Sequence, residues 1–261
     1  MAEQQIRFTD GAGYERMMGI WSRLAGEVFL DWLSPRPGLV WADIGCGNGA
    51  FTELLVERCA PAKIHGFDPS PEQLAYARQR HTAGLATFIQ GDAMALPLAD
   101  ASVDAATMAL VIFFVPEPAR GVAEMARVVR PGGTVSAYAW DLLGGGFPWE
   151  PVHAELRALG RPAPLAPQAE ASRIENLQRL WEEAGLRSVE TRAISVERVF
   201  PSFEDFWATA QLSATLRLVL PTLDPATTKD IRERVRARTR AEGGALVLTA
   251  RANAVKGVVP S

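Results

Sequence analysis

The chain has 261 residues, 48% hydrophobic and 22% charged, with a formal net charge of -3. This is the composition of a globular protein able to bury a core without disulfides or metals. The acidic balance, with a pI of about 5.7, argues against general affinity for nucleic-acid backbones, which reward clustered positive charge. Cys46 and Cys59 lack CxxC spacing, so a reduced, cytoplasmic setting is expected. The opening MAEQQIRFTDGAGYERM has no basic region followed by an apolar run, so no signal peptide is expected. The longest apolar run, Met108–Val115, is too short to span a bilayer.

Apolar residues at helical spacing from Met17 to Trp32 predict one or two helices over Gly11–Leu33, stopped by SPRPG at Ser34–Gly38. Leu39–Ile44 reads as a buried strand entering glycines, and Ala50–Cys59 as a helix. A strand over Lys63–Phe67 and a helix over Pro71–Arg80 follow, Pro71 suiting the first turn. Strands are expected over Ala86–Gln90 and Ser102–Leu110, then a helix over Pro118–Val129, a turn at Arg130–Gly133 and a strand over Thr134–Trp140. Gly144–Gly146 and Arg161–Pro167 read as loop. Beyond them come a helix over Ser172–Ala184, a strand over Ser188–Val199, helical stretches over Phe203–Leu218 and Thr227–Arg240, and a last strand over Ala245–Ala252.

This alternation specifies βαβ units and a doubly wound, mostly parallel α/β sheet. Right-handed crossovers place the strand C-termini on one edge, where ligands bind near the topological switch point. Asp43, Asp68, Asp92 and Ala109-Leu110 lie at or just past strand C-termini and should converge there. We expect a single domain over 1–261, with a core of about 34–200 and 243–261, an N-terminal cap of about 11–33 and a helical lid of about 201–242.

The strongest local pattern is Asp43-Ile44-Gly45-Cys46-Gly47-Asn48-Gly49, a strand turning through glycines into a helix. The glycines permit a sharp turn and close approach of a ligand, and the helix N-terminus favours a carboxylate or phosphate. Gly45-x-Gly47-x-x-Ala50, with Asp68 downstream, also fits a loose dinucleotide fingerprint. Asp43 tips the balance, because a carboxylate there repels a pyrophosphate and welcomes an ammonium. S-adenosylmethionine carries both an ammonium and a carboxylate at its methionine end.

DIGCGNG resembles motif I of the class I S-adenosylmethionine-dependent methyltransferases. The match extends in order through Gly66-Phe67-Asp68-Pro69-Ser70, Gly91-Asp92-Ala93 with Leu96-Pro97-Leu98, Val103-Asp104 to Phe113-Phe114, and Arg127–Gly133, about Gly38 to Trp140 in all. The nearest branch is the small-molecule group that includes ubiquinone- and menaquinone-biosynthesis-type enzymes. The resemblance implies a Rossmann-like seven-stranded sheet with its last strand antiparallel. It also implies S-adenosylmethionine as donor and S-adenosylhomocysteine as product; no HxH, HxxxH or carboxylate cluster suggests a metal, so none is expected. By the same resemblance Asp43, Gly45, Gly47, Asn48 and Gly49 face the methionine end of the cofactor. Asp68, with Pro69 and Ser70, takes the ribose hydroxyls, and Asp92 and Ala93 meet the adenine edge. Met94 packs on adenine or is core filler, and Gln73 reaches the adenosine or faces solvent. Ala109 and Leu110 close the crevice, and Tyr14 and Trp21 belong to a cap over the cofactor.

Methyl transfer from a sulfonium is an in-line displacement in which positioning supplies much of the rate. Many relatives carry histidine just after strand four, where this chain has Phe113 and Phe114. These are pocket wall or core. Of three histidines, His153 is the first candidate base, placed in the loop after strand five near Trp140, Phe147 and Trp149; Asp141 is second and Tyr14 third. Trp207 lines the acceptor pocket or docks the lid. Arg232, Arg234, Arg236, Arg238 and Arg240 form a basic helix face, read as solvated rather than nucleic-acid-binding. The expectation is methyl transfer to O, N or C of a small, partly apolar acceptor, without a nucleic-acid partner or membrane span. A cofactor-binding protein without catalysis and a nicotinamide-dependent oxidoreductase are the alternatives.

Overall fold

Seven strands form one sheet in the order β3-β2-β1-β4-β5-β7-β6. The computed structural model describes residues 15–82, 84–239 and 245–261. The strands are β1 (Val40–Ile44), β2 (Lys63–Asp68), β3 (Ala86–Gln90), β4 (Val103–Ala109), β5 (Val129–Trp140), β6 (Arg187–Phe200) and β7 (Leu246–Val258). The first five pair in parallel, and β7 runs antiparallel between β5 and β6. Helices α1 (Ile20–Leu33), α2 (Ala50–Cys59), α3 (Pro71–Ala77) and α4 (Pro118–Val128) alternate with the parallel strands. α5 (Glu150–Ala158) and α6 (Ile174–Glu183) follow β5, and α7 (Phe203–Ala210), α8 (Leu216–Val219) and α9 (Pro225–Arg238) lie between β6 and β7. The doubly wound, mostly parallel architecture expected from the sequence is therefore present. Strand order reverses between β1 and β4, which puts the switch point beside the glycine turn.

Several helix starts follow from local chemistry. Ser70 caps α3 by accepting from Gln73 N, with Pro71 behind it. Ser202 and Asp224 cap α7 and α9 in the same way. α3 ends at Ala77 rather than Arg80. The Arg80 guanidinium instead bonds the Asn48 carbonyl at 2.6 Å and Glu53 at 2.7 Å, drawing the chain off the helix.

The Arg130–Gly133 segment, expected as a turn, is part of β5. Gly132 N donates to Val259 O and Val259 N to Gly133 O, so the tail of β7 holds it extended. β7 itself runs to Val258, six residues past the expected end at Ala252. Its buried small residues Ala250, Ala252 and Ala254 suit a strand flanked on both sides but carry little alternating signal. The stretch Phe203–Leu218 is two helices with an irregular link, and α5 occupies what was expected to be loop.

Residues of α1 and α7 and the start of α5 meet in one aromatic cluster at the end of β6. Trp21 and Trp149 each lie 6.4 Å from Phe200, which meets Phe206 edge-on at 5.5 Å. On the other face Trp181 of α6 is fully buried, and its Nε1 donates to Val135 O at 2.9 Å. Replacing Trp181 with alanine should destabilise the protein by about 3–5 kcal/mol through cavity formation. Chemical denaturation would register this, and a loss under about 1 kcal/mol would mean that the helix is not anchored there.

Candidate active site

The turn after β1 is built by the β2 end. Gly45 N and Cys46 N both donate to Phe67 O, at 2.7 and 2.9 Å. Gly47 N donates to Asp68 Oδ2 at 2.9 Å, and Ser70 N to Asp68 Oδ1 at 2.9 Å. Gly45, Gly47 and Gly49 have φ of 72°, 53° and 80°, a region that disfavours residues with a β-carbon. A Cβ on Gly45 would come within 2.5 Å of the Val111 side chain, whereas one on Gly47 would meet nothing within 4 Å. Gly45 is thus required by packing, while Gly47 leaves its side of the turn open. Each Asp68 oxygen takes one of these backbone donors and keeps lone-pair capacity for a second. Burial raises the Asp68 carboxyl, while the Ser70 and Gly47 hydrogen bonds oppose that rise.

Asp43 departs from expectation. It ends β1 beside the turn, yet it has no exposed surface. Its Oδ2 accepts from Thr52 Oγ1 of α2 at 2.6 Å, and its Oδ1 has no hydrogen-bond partner among the described residues. Burial pushes its pKa up to about 7, against the Thr52 bond, with Asp68 adding repulsion. The carboxyl group is thus fully enclosed, held by Thr52 of α2. Thr52 was not singled out from the sequence; its position two residues into a helix that faces the strand is the only clue.

The other expected cofactor positions sit at the same edge. Asn48 Oδ1 accepts from Ala50 N at 3.2 Å at the start of α2. Pro69 and Ser70 continue from Asp68, and Gln73 is half-buried on α3. Asp92 closes a local turn, its Oδ1 accepting from Met94 N at 2.8 Å, with Ala93 between them and half-buried. Ala109 ends β4, and Leu110 beyond it adopts φ 63°, its N donating to Tyr138 O at 2.8 Å. A leucine held in the left-handed region is strained by roughly 1–3 kcal/mol, and β5 supplies the hydrogen bond that holds it. Trp21 is fully buried, packed against Phe200 at the C-terminal end of β6. Tyr14 lies outside the described residues.

Next to Leu110 opens an apolar pocket lined by Phe113, Phe114, Trp140, Phe147 and His153. Met17 and Met18 reach it from the cap, and Ser213, Ala214 and Thr215 from the lid. His153 is on α5, not in a loop: Pro151 sits in the first turn, and Val152 and Leu156 are buried one turn apart. It is itself buried, packs edge-on to Phe147 at 5.3 Å, and has Nε2 3.3 Å from Thr215 Oγ1. Burial lowers its pKa to about 4, aided by Arg157, so the imidazole is neutral at physiological pH.

Two other expected residues stand elsewhere. Asp141 accepts from Arg251 at 2.5 Å and from Gly144 N at 2.9 Å, so it is bound into the β5–β7 end and is no free base. Trp207 is absent from the pocket lining and stacks on Phe203 at 6.1 Å, docking the lid. The basic face of α9 is largely ion-paired: Arg232 and Arg236 with Glu204, Arg234 with Asp230, and Arg238 with Glu155. Arg240 lies outside the described residues. Among the described residues no cluster of three or more His, Cys, Asp or Glu could hold a metal, and no helix is long and apolar enough to cross a membrane.

Residues 42–137 match the family profile described as a methyltransferase domain. The chain is 35% identical over 123 residues to a malonyl-[acyl-carrier protein] O-methyltransferase of Pectobacterium atrosepticum, covering 47% of each chain. It is 35% identical over 121 residues to the ubiquinone/menaquinone biosynthesis C-methyltransferase UbiE of Paracoccus denitrificans, covering 45% of this chain and 48% of that one. The chain thus spans about half the length of the curated relatives it matches. Among solved structures, a Haemonchus contortus phosphoethanolamine N-methyltransferase 2 complex with S-adenosylhomocysteine superposes with a TM-score of 0.62 at 15% identity. That alignment covers 99% of this chain and 60% of that one. Residues 42–137, which carry the glycine turn tied to Asp68, are thus similar to a methyltransferase domain, and the fold as a whole is shared with solved methyltransferase structures.

Proposed function

We propose that the protein transfers a methyl group from S-adenosylmethionine to a small-molecule acceptor, leaving S-adenosylhomocysteine. The observation that carries this reading is the meeting, at one sheet edge, of the Asp68-tethered glycine turn and an apolar pocket holding a neutral histidine. The turn fits the cofactor on three counts: the open side of Gly47, the spare lone pairs of Asp68, and the N-terminus of α2. When bound, the cofactor supplies a methyl carbon on a sulfonium already activated for displacement.

In this reading Gly45, Gly47, Asn48 and Gly49 receive the methionine end, with Asp43 supplying negative field from behind. Asp68, Pro69, Ser70 and Gln73 hold the ribose side, Asp92, Ala93 and Met94 hold adenine, and Ala109 and Leu110 form the floor. Phe113, Phe114, Trp140 and Phe147 exclude water and orient the acceptor, and His153 is the residue placed to take a proton from it. We assign residues 11–33 and 201–242 to a cap and lid over a single catalytic domain, working in the cytoplasm, where two buried free thiols are at home.

Calorimetric titration should give micromolar-range binding of S-adenosylmethionine and S-adenosylhomocysteine and none of NAD. Asp68→Ala should lose about 1–3 kcal/mol of that affinity. NAD binding, or no adenosyl ligand bound by folded protein, would overturn the proposal.

The Asp43 carboxyl gives a second test. Its folded pKa, about 7, is raised from an ordinary 3.8. Between those values the folded state keeps a proton that the unfolded chain has lost, so stability should fall as pH rises through this window. Asp43→Asn cannot ionise, so its Tm advantage over the parent should grow between pH 4 and pH 8, on the order of the window the raised pKa defines. Parallel Tm curves for the two proteins would show that the carboxyl is not so burdened.

A further inference from the structure

The acceptor pocket has a charge pattern that selects among acceptors. Among its described lining residues none carries a positive charge, and its single acidic group, Glu150, is engaged through both oxygens by Arg157. A carboxylate or phosphate entering it would lose hydration and gain no counter-ion from these described residues, a loss that apolar walls cannot offset. An ammonium would find Glu150 already paired. What the walls do offer is aromatic surface and a short chain of neutral polar groups. Ser213 Oγ lies 3.0 Å from Thr215 Oγ1, which lies 3.3 Å from His153 Nε2.

The two contacts permit a direction that suits proton acceptance at His153. With Nε2 protonated, Thr215 would accept from it and donate to Ser213, leaving the lone pair on Nδ1. We propose that the pocket takes an uncharged aromatic acceptor bearing one acidic hydroxyl, of the phenol or enol class, and that Thr215 is the positioning residue that sets His153 to receive its proton. This rests on the methyltransferase reading of the same site. As the acceptor oxygen forms its bond to the methyl carbon, its proton passes to Nδ1, and the electron pair of the breaking carbon–sulfur bond stays on sulfur. A histidine held at low pKa is a weak base, matched to a phenolic proton that becomes acidic during transfer and not to an alkyl alcohol. Thr215 sits in the link between α7 and α8, so the residue that sets the base comes from a segment 62 positions along the chain from His153.

The test titrates 2-naphthol, 2-naphthoate and 2-naphthyl phosphate, three ligands with one ring system, into protein saturated with S-adenosylhomocysteine. We expect 2-naphthol to bind at least about tenfold more tightly than either anion, a difference of about 1.4 kcal/mol. Equal or tighter binding of an anion, or no binding of 2-naphthol, overturns the proposal while leaving the cofactor reading intact. Failure of S-adenosylhomocysteine to bind removes both. In parallel, nitrogen-15 NMR of the imidazoles should show His153 as the Nε2–H tautomer in the parent and in Thr215→Ser, and as a tautomer mixture in Thr215→Val. An unchanged tautomer in the valine variant overturns the role given to Thr215.

Discussion

The site depends on one tether, the pair of hydrogen bonds that Asp68 accepts from Gly47 N and Ser70 N. It joins the turn after β1 to the turn after β2, so two chain segments adjacent only through parallel pairing become one rigid edge. The Phe67 carbonyl takes the two preceding amides and fixes the start of the same turn. With the turn held, α2 must begin at Ala50, and its Thr52 falls over the buried Asp43 carboxyl. The open side of Gly47, the start of α2 and the reach of Asp68 therefore follow from one constraint.

The other half of the site is reached through Val111 and Leu110. Gly45 lacks a β-carbon, so Val111 can close on the turn. The left-handed Leu110, held by Tyr138 O, then redirects the chain from β4 into the pocket wall. Its strain is offset by a buried backbone hydrogen bond and by the packing of a residue shared between the turn and the pocket. The two halves differ in dielectric character. One is lined by backbone amides and carboxylates, and the other by aromatic rings around a neutral imidazole. In the proposed reaction, a charged donor beside an apolar pocket suits a displacement in which charge is lost from sulfur.

The lid is held by electrostatics at its rim and aromatics beneath. Glu204 pairs with Arg232 and Arg236, and the largely buried Glu155 pairs with Arg238, binding α9 to α7 and α5. The exposed pairs contribute little stability singly. Beneath them the Trp149–Phe200–Phe206 cluster carries the docking. The helix face that reads as a basic stripe in sequence is solvent-exposed and ion-paired, Arg234 to Asp230 within the helix and Arg232, Arg236 and Arg238 to glutamates of α7 and α5.

The sequence alone determined the alternating α/β order, the glycine turn, the three aspartates at strand ends and the absence of a histidine after β4. Each of these is local: a period, a turn requirement, or a residue type at the end of an apolar run. What it misjudged was long-range. The full length of β7 depends on two neighbours, α5 was hidden by flanking glycine and proline, and β5 starts five residues early, where Val129 pairs with β4 and Gly132 and Gly133 bond Val259 just past β7. The roles of single residues were decided the same way. Asp43 turned out buried under Thr52, Asp141 bound to Arg251, and Trp21 and Trp207 committed to packing. His153 met Thr215 across 62 positions. Spacing tells which residues share a strand end or a helix face. Which of them are left with an unsatisfied group facing a cavity is settled only when distant segments close around them.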